Sequence, residues 1–342
     1  MSSFVVNEST VVLAIETSCD ETAAAVVMGG NDVLSSVVSS QIDIHARFGG
    51  VVPEVASRAH LEAIVPVVRQ AISDAGVLPG RIDAVAATAG PGLIGALLVG
   101  VSAAKSLSLV WDVPFIGVNH LEAHLYAGLL DDPTLQFPLV VLLVSGGHTM
   151  IVEMRGHGDY TVLGRTIDDA AGEAYDKVAR FLDVGYPGGP AIDALASQGV
   201  ATSVEFPRAM MHDGLNVSFS GLKTSVINYV RKNPDAANAN IAASFQEAVV
   251  DVLCAKTIKA AQQVGARGIV LGGGVSANSL LRSEMTTRGE HAGFTVALPS
   301  RAMCTDNAAM IASAAWYRLL SDGPMDLTCG AYPNLKLAEV PR

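Results

Sequence analysis

VVLAIETSCDETAAAVVM, from Val11 to Met28, decides the architecture. An apolar run, a polar turn at Ser18-Cys19-Asp20-Glu21-Thr22 and a second apolar run read as a β-hairpin with its polar groups at the tip. PLVVLLVSGGHTMIVEM, from Pro138 to Met154, repeats the plan around Ser145-Gly146-Gly147-His148-Thr149. Two copies of one unit predict a duplicated chain, with two similar lobes facing each other across a cleft. Both turns carry Ser and Thr, where ligands to a phosphate would sit.

The rest of the chain alternates strands and helices. From Glu54 to Ala75, Val55, Leu61, Ile64, Val65, Val68 and Ile72 fall on one helical face. Ile82 to Thr88 reads as a buried strand, followed by Gly90-Pro91-Gly92 and a helix from Leu93. Ile241 to Val264 is a long amphipathic helix. Arg267 to Leu271 is a strand entering Gly272-Gly273-Gly274, with a helix from Ala277. Ala308 to Leu320 is a last helix, and the Pro-punctuated tail from Thr328 wraps a surface. The lobe boundary is expected near Asp131-Asp132-Pro133.

Half of the 342 residues are hydrophobic and 16% are charged, so the chain can bury a sizeable core and disorder is excluded. Abundant Gly and few aromatics suit an α/β protein whose turns approach ligands closely. The net charge of −11, with no dense Lys/Arg run, makes a poor solitary binder of nucleic acid. Cys19, Cys254, Cys304 and Cys329 lack CxxC spacing, and MSSFVVNESTVV lacks the basic start of a signal peptide, so reduced thiols in the cytoplasm are expected. The longest apolar stretch, Gly95 to Val110, is cut by Lys105 and serines. It falls short of a membrane span and reads as a buried helix.

Asn119-His120-Leu121-Glu122-Ala123-His124 carries the sharpest chemistry. Leu, Glu and Ala favour a helix, and Asn119 caps it. Histidines four apart then share one face, about 6 Å from each other, close enough to chelate one ion. In the HExxH zinc proteases the first His is followed directly by the Glu base. Here Leu121 holds that place and Glu122 points elsewhere. An open catalytic site needs a third ligand. Asp306, in Cys304-Thr305-Asp306-Asn307, is the candidate, with Thr305 or Asp306 as N-cap of the last helix as the alternative. The turns Ser145–Thr149 and Gly272–Asn278 place backbone N–H groups where an anion or nucleoside can approach, although neither is a P-loop nor GxGxxG. In Asp168–Lys177, carboxylates serve either ribose hydroxyls or a solvated helix face.

Taken in order, IETSCDETAAAVV, HARFGGVVPEVASRAHLE, GPGLIGALLVG, NHLEAH, LVSGGHT, DDAAGEAYDK, YPGGP, FSGLKT, GGGVSAN and CTDNAAM resemble the TsaD family, once labelled O-sialoglycoprotein endopeptidases. The resemblance runs from Val11 to Leu320. It implies a duplicated actin/Hsp70-like (ASKHA) fold with an interlobe nucleotide cleft. One lobe would span residues 10–134 with the closing helix and tail, 307–342, and the other 135–306. The implied activity is transfer of threonylcarbamoyl from threonylcarbamoyl-AMP to N6 of adenosine 37 in tRNAs reading codons that start with A, releasing AMP. The implied metal ligands are His120, His124 and Asp306, holding one divalent ion, Fe(2+) or else Zn(2+). The implied substrate contacts are Leu143, Val144, Ser145, Gly146, Gly147, Asp176, Gly189, Asp193 and Asn278. Asp20 or Glu21, at the first turn, is the candidate general base for the amine proton, and Lys223 matches a family block without an assigned role. TsaB-like and TsaE-like proteins and tRNA are the implied partners, with no membrane. A metallopeptidase and a non-catalytic nucleotide-binding scaffold remain as rival readings.

Overall fold

The computed structural model describes residues 4–337 and 339–341. It divides into two compact units, Met1–Pro133 with Thr305–Arg342, and Thr134–Cys304. Along the chain, the first unit begins with strands β1 (Val11–Glu16), β2 (Glu21–Met28) and β3 (Asp32–Ser40) and helices α1 (Ile42–Ala46) and α2 (Pro53–Asp74). Then come β4 (Ala84–Gly90), α3 (Ile94–Trp111), β5 (Phe115–Asn119) and α4 (His120–Asp131). The second unit opens with β6 (Leu139–Val144), β7 (Thr149–Gly156) and β8 (Asp159–Arg165). It continues through α5 (Ala171–Leu182), α6 (Gly188–Ala196), α7 (Ser220–Lys232) and α8 (Asn238–Val264). It ends with β9 (Gly268–Gly272), α9 (Ser279–His291), β10 (Thr295–Ala297) and α10 (Arg301–Cys304). The chain then returns to the first unit as α11 (Ala308–Asp322).

The duplication is exact at the level of topology. The first sheet runs β3-β2-β1-β4-β5, and the second, read in the same sense, β8-β7-β6-β9-β10. In each, the first strand pairs antiparallel with the second and parallel with the fourth, and the parallel run continues to the fifth. β1 and β6 are buried along their whole lengths, which is why both read as unbroken apolar runs rather than alternating ones. Val11, Leu13 and Ile15 pack with Ile64 of α2 and Val101 of α3, and α11 also lies against β1 and β2.

Three readings change in the structure. The apolar stretch in α3 is not buried all round. Ala96, Leu97, Gly100, Val101 and Ala104 face the core, while Ile94, Leu98, Leu109 and Val110 are exposed. Ile94–Trp111 is long and apolar enough to cross a membrane by length and composition, yet it packs on β4 and α2 as a core helix. The second glycine turn leads first into a single 3-10 turn, Gly274–Ala277, and α9 starts only at Ser279, capped by the Asn278 side chain. The cap of α11 is neither Thr305 nor Asp306. Asn307 accepts from Met310 N at 3.0 Å, and Asp306 is left to another task.

Candidate functional site

The end of β5 and the first turn of α4 build the first half of the site. Asn119 is fully buried and works on two sides. Its Oδ1 accepts from the backbone N–H of Leu121 (3.0 Å) and Glu122 (3.4 Å), which starts the helix where the sequence places it. Its Nδ2 donates to the carbonyls of Lys336 (2.7 Å) and Glu339 (3.1 Å), so the C-terminal tail braces the cap. One turn of helix then carries His120 and His124 to a ring-centroid separation of 4.7 Å, nearly perpendicular.

Asp306 meets them, its Oδ1 lying 3.2 Å from His124 Nε2 and 3.6 Å from His120 Nε2. The ligand atoms of all three residues fall within 4.8 Å of one another. Ligand atoms about 2.0–2.1 Å from a tetrahedral ion sit about 3.3–3.4 Å apart, so these spacings fit a bound divalent ion. Both ring nitrogens of His124 are buried, and among the described residues neither makes a hydrogen bond of good geometry, the 3.2 Å approach of Asp306 to Nε2 being a contact of the kind two ligands of one ion make. Two neutral histidines and a carboxylate also form the mixed N/O donor set that suits iron(II) or zinc.

Charge shapes the site strongly. Burial pushes the His120 imidazole down, but the carboxylates of Asp306 and Glu16 outweigh it and raise its pKa to about 9. His124 moves the other way, because burial and the neighbouring His120 outweigh its contact with Asp306. Burial, then Asp306 and Asp20, raise the Glu21 carboxyl to about 9, so in the metal-free protein Glu21 holds its proton at neutral pH. Glu122 does not turn toward the histidines. It is buried and accepts from Arg318 Nε of α11 at 2.8 Å, which binds α4 to α11 and removes the base that a peptidase reading requires.

The second unit gathers most of the remaining candidates. The Ser145 carbonyl accepts from Gly172 N at 3.3 Å, and the Val144 carbonyl lies so close to Gly273 that a Cβ there would clash with it at 2.5 Å. The two glycine turns are therefore neighbours, at the ends of the adjacent strands β6 and β9. Side chains added at Gly146, Gly147, Gly189 or Gly274 would meet open space, so these backbones border room for a ligand. Asp193 accepts from Gln246 Nε2, Asn278 Nδ2, the backbone N–H of Ser279 and Ser279 Oγ, at 2.7 to 3.2 Å. Asp176 Oδ1 accepts from Gly188 N at 2.8 Å and fixes the entry to α6. Leu143 and Val144 are buried strand residues, so they offer backbone rather than side chain.

Asp168 and Asp169 are engaged by contacts within the second unit. Asp168 accepts from Ser218 Oγ and from the backbone N–H of Phe219 and Ser220, holding the start of α7. Asp169 pairs with Lys177 (3.1 Å) and Lys223 (2.6 Å), which gives the FSGLKT lysine a structural task. Sequence reading missed Glu16 and the buried chain through His45, Gln41 and His60 that ends on the Cys19 carbonyl. Glu16 had a signal: a single carboxylate ending an otherwise apolar strand.

The doubly repeated β-sheet unit defines a member of the actin/Hsp70-like class, and its first unit carries a His/His/Asp cluster with the spacing of a metal site. The solved structures agree on the fold alone. HypF from T. kodakarensis superposes with a TM-score of 0.65 at 15% identity, covering 92% of this chain and 48% of that one. Component A of the Acidaminococcus fermentans (R)-2-hydroxyglutaryl-CoA dehydratase gives 0.53 at 13% identity, over 90% and 98% of the two chains. The profile of the TsaD family, tRNA N6-adenosine threonylcarbamoyltransferase, matches residues 32–313. Proteins of that name from Clostridium perfringens and Symbiobacterium thermophilum are 52% and 54% identical. These alignments cover 96% and 95% of this chain, and 98% and 96% of theirs. The chain belongs to the TsaD family.

Proposed function

We propose that the protein transfers the threonylcarbamoyl group of threonylcarbamoyl-AMP to N6 of adenosine 37 in tRNAs reading codons that start with A, releasing AMP. It does so in the cytoplasm, with one divalent ion, Fe(2+) or else Zn(2+), held by His120, His124 and Asp306. The observation that carries the reading is the meeting of those three ligand atoms in a chain whose near-full-length relatives bear the transferase name.

In the reaction the amine N6 attacks the carbamoyl carbon. A new C–N bond forms, the bond from that carbon to the phosphate oxygen breaks, and AMP leaves with the electron pair. A bound divalent ion supplies Lewis acidity toward the carbamoyl carbonyl. The rest falls to the chain. The open glycine backbones at Gly146, Gly147 and Gly274 admit the AMP phosphate, with N–H groups as donors. Asp176 and Asp193, both fixed in place by hydrogen bonds, take the ribose hydroxyls, and Asn278 orients Asp193. The N6 proton needs a base. Asp20 or Glu21, neighbours at the first turn, is the candidate for that base.

Partners follow from the surface. A net charge of −11 leaves tRNA phosphates few contacts on this chain alone. Leu61 and Val65 on α2 and Leu98 on α3 are exposed apolar residues of the kind a protein partner covers, consistent with TsaB-like and TsaE-like partners. A reconstituted reaction with donor, partners and unmodified tRNA, read by nucleoside mass spectrometry, tests the whole. The wild-type protein should form N6-threonylcarbamoyladenosine, and His124→Ala should lose at least about 100-fold in rate while staying folded, on the scale of other transition-state interactions removed outright. Product formed equally by both proteins would sink the metal role, and no product from the wild type would sink the activity.

A further inference from the structure

We propose that Glu16 is a positioning residue for the metal centre: it pins the His120 proton on Nδ1 and so presents a bare Nε2 to the ion. The inference rests on the metal reading above and assigns a task to a residue that none of the family motif roles covers.

Glu16 ends β1 and is fully buried among apolar neighbours. A carboxylate there is tolerable only if its oxygens are satisfied. They are. Oε1 accepts from the backbone N–H of Ser18, and Oε2 accepts from Thr88 Oγ1 on the adjacent strand β4. Oε2 also lies 3.1 Å from His120 Nδ1, nearer than that nitrogen's other polar neighbour, Ser18 Oγ at 3.3 Å. An ionised carboxylate has no proton to give, so in this contact the imidazole must be the donor. Neutral His120 then carries hydrogen on Nδ1 and a lone pair on Nε2, the nitrogen that faces Asp306 at 3.6 Å. A carboxylate behind a histidine is how proteins fix ring orientation and raise ligand basicity at a metal.

Placement supports the assignment. Glu16 sits on a strand paired on both sides, not on a loop, so its carboxylate is held as firmly as the sheet. His124 has no such partner on its Nδ1. The centre therefore has one histidine oriented from behind and one oriented only by packing, and loss of Glu16 should be felt chiefly through His120.

Glu16→Gln is nearly isosteric, yet it breaks the logic. Whichever way the amide turns, its NH2 meets a donor. Facing Ser18 N–H it leaves two donors opposed. Facing His120 it donates to Nδ1 and drives the imidazole proton onto Nε2, where the ion must bind. The test uses full-length protein, Zn(2+) alone as probe, chelator competition for affinity, and nitrogen-15 NMR of labelled histidine in the zinc-loaded state. The wild type should show His120 metal-bound through Nε2, with a slowly exchanging Nδ1–H. Glu16→Gln should raise the zinc Kd about 10- to 100-fold, the usual loss when such an outer partner is removed. Thr88→Val keeps the carboxylate but withdraws one of its bonds, and should weaken zinc in the same direction by a smaller factor. If Glu16→Gln does not fold, the wild-type spectrum and Thr88→Val still decide. A wild type that binds zinc as tightly as Glu16→Gln does, or one that coordinates through His120 Nδ1, overturns the role of Glu16 and leaves the metal centre standing. A wild type with no zinc affinity overturns the metal centre and this inference with it.

Discussion

Asn119 joins the helix that carries His120 and His124 to the C-terminal tail, and replacing it separates two contributions that the structure places in one side chain. Asn119→Ala removes a cap, which costs about 0.5–2 kcal/mol. It also removes two hydrogen bonds to the carbonyls of Lys336 and Glu339, each contributing about 0.5–1.5 kcal/mol net. Both of those residues are exposed, so water can replace the lost donor and no buried-carbonyl penalty is added. The sum is about 1.5–5 kcal/mol. Asn119→Ser keeps an oxygen for the N–H groups of Leu121 and Glu122 and loses only the tail bonds, about 1–3 kcal/mol. The chain has two units, so a single global unfolding energy is ill defined, and native-state hydrogen exchange is the better assay. At tenfold per 1.4 kcal/mol, the amides of Leu121 and Glu122 should exchange about 10- to 4000-fold faster in Asn119→Ala. In a chain ending at Leu335, which lacks both carbonyls, Asn119→Ser should have almost no further effect. If the truncation and Asn119→Ser instead add in full, the side chain does not bridge cap and tail, and the reasoning fails.

Two further outcomes follow from the charges. In metal-free protein His120 titrates near 9 rather than 6.5, and Glu21 near 9 rather than 4.5, so in both cases the folded state holds a proton that the unfolded chain releases earlier. Their stabilising contribution is complete below the unfolded values and is lost as pH rises through about 9; metal-free protein should therefore melt at lower temperature as pH goes from 6.5 to 9. Over the same range zinc affinity should rise, because His120 must lose its proton to bind. A metal-free melting temperature that climbs over that range would contradict the assigned shifts. Arg318→Ala removes the ion pair made by the buried Glu122 carboxylate and should cost about 3–5 kcal/mol, while the double change Arg318→Met with Glu122→Gln should recover most of it. A loss below about 1 kcal/mol in thermal melts would mean the pair is as weak as a surface one.

Much of the site was legible in the residues because it depends on local spacing. His120 and His124 are four apart beside a capping Asn, and helix geometry does the rest. The hairpins of β1–β2 and β6–β7 announce themselves because strands covered on both faces lack polar interruptions. β3 and β8 were harder. Their buried and exposed positions interleave, and Ser, Asp and Gly along them imitate loop composition. The start of α11 offered Thr305, Asp306 and Asn307 in succession, three residues that all cap well. Only tertiary contact decides among them: Asp306 faces the histidines, and Asn307 caps. Asp168 and Asp169 are equally undecidable from sequence, since the donors that consume them arrive from about 50 residues away, as in the 54-residue separation of Lys223 and Asp169.

The repeated topology explains why two different chemistries sit at equivalent places. In an open α/β sheet, ligands gather outside the carboxyl ends of parallel strands. In the first unit those ends are Glu16 of β1, Gly90 of β4 and Asn119 of β5. They deliver, in turn, the carboxylate behind His120, the turn before α3, and the cap that starts the histidine helix. In the second unit the equivalent ends are Val144 of β6 and Gly272 of β9, and they deliver the two glycine turns. The Glu16 and Val144 positions match strand for strand, yet one carries a buried charge and the other an apolar side chain. A carboxylate at the strand end can aim a histidine toward an ion. An anion needs only exposed backbone N–H groups, which requires that nothing stand in the way. Duplication supplied two frames of one topology that end differently, one on a carboxylate behind the histidine helix and the other on exposed glycine backbone. By this reasoning a carboxylate placed at Val144 should not build a second metal site, since its partner histidine helix has no counterpart after β10, where the chain turns instead into the short α10.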